Sequence, residues 1–298
     1  MSINTFTLIN QLVLYIEKNL ENGVDLKSVI LKSGYSSSYT QATFKLLTGY
    51  SLANYIKGRR LNRAAMYLCF SSKKIKCISD VLNFGSQSDF SRSFSKCFNI
   101  SPSAFRKNKV LSLYKTPRQV NVFKKKPDIT LIDNIENKNL FISGKAYEYE
   151  IKVSDLDKPH SVYRKKIRDD FFKCLGTIPD CYYTASFYNP SKYSDDAVQV
   201  TYIVGFPGLL RDVDGKKMSK FSIYIKQAME FTSDSYFLNP YDAILYTNST
   251  ILKQFNVGWY CCWDLEMFRI QSGGGIIHNY IIPVRSVITQ DVIETWQQ

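Results

Sequence analysis

The chain has 298 residues, 45% of them hydrophobic and only 9 of them proline, which supplies apolar material for two cored domains and excludes a disordered chain. No apolar run approaches the roughly 20 residues that span a bilayer, and Met1 to Asn10 lacks the basic start and apolar block of a signal peptide. Net charge is +13 and unevenly placed, with +11 on residues 1–110 and +2 on residues 111–298. Charge alone points the first part at a polyanion and serves nucleic acid or an anionic membrane equally well. Seven cysteines, an odd number without a CxxC pair, fit reduced thiols in a cytoplasmic protein.

In chain order, Leu8, Leu12, Tyr15, Ile16 and Leu20 predict an opening amphipathic helix. Asp25 is placed to cap a short helix carrying Leu26, Val29 and Ile30, which ends at Gly34. Ser36 to Thr48 forms a third helix, and a long one runs from Leu52 to about Phe70 through Ile56, Leu61, Ala64, Ala65 and Leu68. Ile75, Ile78, Val81 and Leu82 mark another short helix. Phe90, Phe94 and Phe98 then recur every fourth residue, so one helix face is aromatic and must be buried. The opposite face carries Gln87, Ser88, Ser91, Arg92 and Ser95, with Ser86 as N-cap, and Ser101-Pro102 opens a further helix.

The pattern occurs twice. A shift of 50 residues pairs Ser36 with Ser86, Ser38 with Ser88, Phe44 with Phe94, Ser51 with Ser101, Tyr55 with Phe105 and Lys57 with Lys107. Gly34 precedes the first copy as Gly85 precedes the second. A buried aromatic spine, an exposed Gln/Ser/Arg face and a tight entry turn make a DNA recognition helix. The repeat therefore tips the reading from membrane or RNA to duplex DNA, and the expected architecture of residues 1–110 is an all-α double helix-turn-helix domain.

GYSSSYTQATFKLLTGYSLANYIKGRRLNRA, followed by ISDVLNFGSQSDFSRSFSKCFNISPSAFRK, resembles the DNA-binding domain of the AraC/XylS family of bacterial transcription activators. Its place at the N-terminus, with some 190 residues behind it, resembles the Rob subgroup, which is close to MarA and SoxS. The resemblance implies base and phosphate contacts from Ser37, Ser38, Gln41 and Lys45 in the first copy, and from Ser86, Gln87, Ser88, Ser91, Arg92 and Lys96 in the second. Arg59 and Arg60, beside Lys57 and Arg63, are expected at phosphates. Ser38, Ala42 and Ser88 stand where that subgroup carries Trp, Arg and a second Gln, so its usual binding sequence does not carry over.

Residues 111–136 read as a linker, with the KKK run at 124–126 solvated. From about residue 137 to 298 the period becomes two. Leu140, Ile142, Tyr147, Tyr149 and Ile151 form a strand; His160 to Leu175 forms a helix with Val162, Ile167, Phe171 and Phe172; Tyr182 to Tyr188 and Val198 to Val204 form a strand pair. A second round places Phe221, Ile223 and Ile225 on a strand, Tyr241 to Phe255 on a helix, and Leu265 to Ile270 and Tyr280 to Val284 on strands. Strand–helix–strand–strand, done twice, predicts an α+β domain.

FFKCLGTIPDCYYTASFYNP, DLEMFRI and IIPVR resemble the GyrI-like small-molecule-binding domain. That resemblance implies a pocket lined by Tyr147, Tyr149, Phe172, Tyr183 and Phe268, with Glu266 pointing in beside Asp264 and Trp263 on the opposite face. No phosphate loop, GxSxG or zinc pattern is present, so neither a cofactor nor an enzyme is expected. The enzyme alternative is a GyrI-like hydrolase using Glu266 with Tyr147 or Tyr183. The sequence reads as a monomeric, cytoplasmic DNA-binding regulator, an activator on an asymmetric site, with a C-terminal domain that senses a hydrophobic or amphipathic effector or docks a partner such as RNA polymerase.

Overall fold

The computed structural model describes residues 3–112, 115–117, 130–156, 160–208, 212–213, 215–233, 252–270 and 275–286. Seven helices come first: α1 (Ile3–Lys18), α2 (Leu26–Ser33), α3 (Ser37–Thr48), α4 (Leu52–Phe70), α5 (Ile75–Val81), α6 (Gln87–Phe98) and α7 (Pro102–Asn108). Their ends are set by local chemistry. Asp25 and Ser28 form a capping box at α2, and Ser36, Ser51, Ser86 and Ser101 accept the third backbone N–H of α3, α4, α6 and α7. The two copies correspond in three dimensions: the Phe44 and Tyr55 rings meet at 5.3 Å and 65°, the Phe94 and Phe105 rings at 5.1 Å and 88°. The entry turns differ. Gly34 is left-handed (φ 72°), whereas in the second copy Asn83 takes that conformation (φ 55°) and Gly85 does not.

The two copies do not share a core. Ile9, Leu12, Val13, Ile16, Leu20, Val29, Phe44, Leu52 and Tyr55 make a cluster of their own around the start of α4. The second half of α4, with Phe90, Phe94, Phe98 and Phe105, belongs to a cluster that continues into the C-terminal domain. Gly58 lets the returning chain cross α4, since a Cβ there would lie 2.3 Å from the Pro117 ring.

The rest of the described chain is β1 (Val110–Leu111), β2 (Thr130–Lys152), α8 (His160–Leu175), β3 (Cys181–Pro190), β4 (Ala197–Pro207), the ribbon β5 (Asp212–Val213) and β6 (Lys216–Lys217), β7 (Ser219–Ser233), β8 (Val257–Tyr260), β9 (Trp263–Ile270) and β10 (Ile276–Ser286). All pairings are antiparallel, and β2, β4, β3, β9, β10 and β7 close on themselves into a six-stranded ring. Ile142, Ala185, Ile203, Ile225, Ala228, Leu265 and Ile281 fill one face; Tyr182, Tyr188, Val200, Tyr202, Phe268 and Tyr280 line the other, with Phe171, Phe172 and Leu175 of α8 in the same cluster.

Two expectations change. The 111–136 stretch is structured at both ends: Leu111 pairs with Trp259, Thr116 accepts from Asn62 at 2.8 Å, and β2 begins at Thr130. The apolar face of α8 excludes Val162, which is 62% exposed, and instead includes Arg164. Of the helix expected over 241–255, all but the turn Leu252–Gln254 and Phe255 lies outside the described residues. The KKK run lies outside them as well.

The N-terminal helices join the sheet through α4. Phe70 places its ring 5.6 Å from Tyr188 and 5.5 Å from Trp259, Lys73 Nζ lies 2.9 Å from Asp195, and the Lys109 carbonyl accepts from Cys261 N–H at 2.9 Å. All seven cysteines are free thiols; Cys69 and Cys261 are buried at this junction, while Cys174 is exposed.

Candidate functional site

α3 and α6 present the same kind of surface because the same residue classes fall on the same phase. Thr40, Thr43 and Phe44 are buried in α3, and Phe90, Phe94 and Phe98 in α6. What remains outside is Ser37, Ser38 and Lys45, with half-buried Gln41, and Ser86, Gln87, Ser88, Arg92 and Lys96, with half-buried Ser91. Gln41 donates from Nε2 to Ser37 Oγ at 2.9 Å, which holds its amide along the helix. Arg92 pairs with Asp89 at 2.5 Å across one turn, and both are largely exposed. The Ser86 hydroxyl, then Arg92, hold the Asp89 carboxyl below its ordinary range.

Arg59 and Arg60, both expected at phosphates, meet acceptors of the protein itself. Arg59 is 4% exposed; its Nε lies 2.7 Å from Glu17 Oε1, its Nη2 2.9 Å from Glu17 Oε2, and its Nη1 donates to the Pro117 carbonyl at 3.2 Å. Arg60 donates to the Val24 carbonyl at 2.5 Å and the Asn83 carbonyl at 3.3 Å. A buried guanidinium needs a partner, and Arg59 faces protein rather than solvent, whereas Arg60 is half-buried. Adjacent residues of one type thus fasten the scaffold.

In the C-terminal domain the acidic strand β9 meets α8. Arg164 lies 2.7 Å from Glu266 and 3.1 Å from Asp264, and its guanidinium also donates to the Tyr188 hydroxyl. Tyr188 in turn donates to Asp264 at 2.5 Å, and His278 Nε2 is 3.0 Å from the other Glu266 oxygen. Arg168, one turn along α8, donates to Tyr202 at 3.0 Å and sits over the Phe268 ring at 5.3 Å. Burial pushes the Glu266 carboxyl up, but the His278 hydrogen bond and the Arg164 charge outweigh it and hold Glu266 well below the usual carboxylate range. Burial wins at Asp264, whose carboxyl is raised despite Arg164.

Glu266, Tyr149, Phe172 and Phe268 come together on this face: Phe172 meets Tyr182 at 4.8 Å, Tyr182 stacks on Phe268 at 4.7 Å, and Tyr149 lies close enough to Arg164 to feel its charge. Tyr183 does not join them. Odd and even residues of β3 alternate between faces, and Tyr183 packs with Ala185 and Trp263 on the other side. Tyr147 shares the face but stands beside the last turns of α8, where Asp170 and Cys174 rather than Arg164 are its titratable neighbours. Tyr183, on the opposite face, cannot serve Glu266 as a hydrolytic partner. Arg164, Arg168, Tyr188 and His278 escaped the sequence reading. Their signal was two arginines at i and i+4 on the apolar stripe of α8.

Two recognition helices with polar outer faces, held on one long helix, define a DNA-binding protein of the double helix-turn-helix class. A helix-turn-helix domain family matches residues 20–108. The chain is 26% identical over 289 residues to the transcriptional regulator Rob of Salmonella typhimurium, covering 93% of this chain and 98% of that one. It is 31% identical over 205 residues to the putative HTH-type transcriptional regulator YkgA of Escherichia coli, covering 66% and 81%. The transposon Tn10 TetD protein of Escherichia coli is 41% identical over 107 residues, 36% of this chain and 78% of that protein. The chain belongs to the AraC family of helix-turn-helix transcriptional regulators.

Proposed function

We propose that the protein activates transcription as a monomer on an asymmetric duplex site, with α3 and α6 entering successive major-groove segments about 34 Å apart. The observation that carries this reading is the pair of equivalent helices whose outer faces differ, Ser37, Ser38, Gln41 and Lys45 against Gln87, Ser88, Ser91, Arg92 and Lys96. Different faces read different half-sites, so no dimer symmetry is needed. Gln41, Gln87 and Arg92 reach base edges, while serines, lysines and the helix N-termini hold phosphates.

Arg92→Ala tests it. Arg92 is exposed and, among the described residues, pairs across its own helix with Asp89, so its loss leaves the fold intact. Affinity for a selected site should fall about 5- to 150-fold, the equivalent of a base contact of ~1–3 kcal/mol, and affinity for random DNA far less. Equal loss on both DNAs would make Arg92 a phosphate contact.

The C-terminal domain is read as the sensor of a hydrophobic or amphipathic molecule, received on the aromatic face of Tyr149, Phe172, Tyr182 and Phe268. A screen of fatty-acid-like and bile-salt-like compounds on the full chain should find one that raises the melting temperature by several degrees, since a hundredfold excess over Kd adds about 2.7 kcal/mol. The space beside Glu266 is filled by the chain's own Arg164 and His278, which favours a second reading, a docking surface for RNA polymerase. A screen without any stabiliser would select that second reading.

A further inference from the structure

We infer that Arg60 fixes the offset between the two recognition helices and thereby sets the half-site spacing the protein accepts. The inference deepens the two-helix reading of DNA and rests on it. The second helix-turn-helix unit shares its core with the C-terminal domain, whereas the first has a core of its own around the start of α4. The second unit is therefore held by the bulk of the molecule. The first is positioned by α4 and by whatever bridges the two units beside it.

Arg60 is such a bridge. One guanidinium donates to two backbone carbonyls on different units: Nη2 to Val24 at 2.5 Å and Nη1 to Asn83 at 3.3 Å. Val24 lies just before Asp25, the N-cap of α2; Asn83 lies three residues before Ser86, the N-cap of α6. Val24 belongs to the turn that leads into the first helix pair and Asn83 to the turn between α5 and α6 of the second, where it is held left-handed at φ 55°. The turns also touch, since a Cβ on Gly23 would stand 3.4 Å from the Asn83 side chain. Beside the bridge lies an open groove of about 430 Å³, bordered by Leu26 and Ala53 and by Phe84 and Ser93 of the second unit. A planar guanidinium spans two acceptors with fixed geometry, which an ammonium or an apolar chain does not. DNA makes this offset a matter of specificity, because one inserted base pair moves a half-site about 3.4 Å along the axis and rotates it around the helix.

The test uses the full chain and a duplex enriched from a random library by the wild-type protein. Its two halves are located by footprinting, then moved apart or together by one and two base pairs. The wild type should lose at least about tenfold in affinity for a one-base-pair change, as one recognition helix leaves its bases. Arg60→Met keeps the aliphatic stem and removes the fork; its penalty for the same change should shrink to under about threefold. Arg60→Lys should resemble Arg60→Met. A variant that merely folded less completely would lose the same factor at every spacing, so the ratio between spacings separates positioning from stability. An unchanged spacing penalty in both variants overturns the inference. Failure of the wild type to enrich any duplex would overturn the DNA-binding reading, and the inference with it.

Discussion

Replacing Arg164 by methionine is expected to destabilise the C-terminal domain by about 3–5 kcal/mol, because the change strands two buried carboxylates. Asp264 and Glu266 are 2% and 1% exposed, and Arg164 is the cation that both share. His278 remains for Glu266, but Asp264 keeps only the Tyr188 hydroxyl among the partners described here. Denaturant unfolding followed by tryptophan fluorescence measures the loss. Neutralising the stranded groups by adding Asp264→Asn and Glu266→Gln should recover much of it, since removing a whole buried ion cluster costs far less than breaking one. No recovery would mean that Arg164 acts through packing. The acid arm has a definite sign. Glu266 is held below its unfolded value, so its ionisation contributes stability that is fully present above about pH 4.3 and lost as pH falls through the lower folded value. Glu266→Gln should therefore be least stable relative to wild type near neutrality, with the gap closing below about pH 4. A gap independent of pH would sink that account.

The second large effect is expected at Phe94→Ala, about 3–5 kcal/mol. The Phe94 ring meets Phe90 at 5.5 Å, Phe98 at 4.5 Å and Phe105 at 5.1 Å, and it is fully buried. The consequence should reach beyond α6. Phe94 and Trp259 belong to one continuous core, so the unfolding transition reported by tryptophan fluorescence should move to lower denaturant. Phe44→Ala, the matching change in the first unit, opens a core without tryptophan that ends at Ile56. It should remove DNA binding while leaving the tryptophan transition nearly in place. Equal shifts in both variants would show that the two units fold as one.

The N-terminal fold was legible because its signals are local. Helix faces follow from a period of 3.6, so Phe90, Phe94 and Phe98 declared their burial, and Asp25, Ser86 and Ser101 declared their caps, each within four residues of chain. Gln87 and Arg92 were placed on the outer face by the same period. Along β9, a period of two set Asp264, Glu266 and Phe268 on one side and Trp263 on the other. Those relations belong to the sequence, because the backbone fixes the direction of neighbouring side chains. Tertiary structure decided what each face would meet. Arg164 finds Glu266 across 102 residues and Tyr188 across 24, and nothing within a helical turn of Arg164 announces either. Arg59 and Arg60 carry the same charge side by side, yet one turns to Glu17, the other to the Val24 and Asn83 carbonyls. Solvent and protein offer an arginine equally good partners as far as local sequence can tell, and for Arg59 it is the packing of α1 against α4 that removes the solvent.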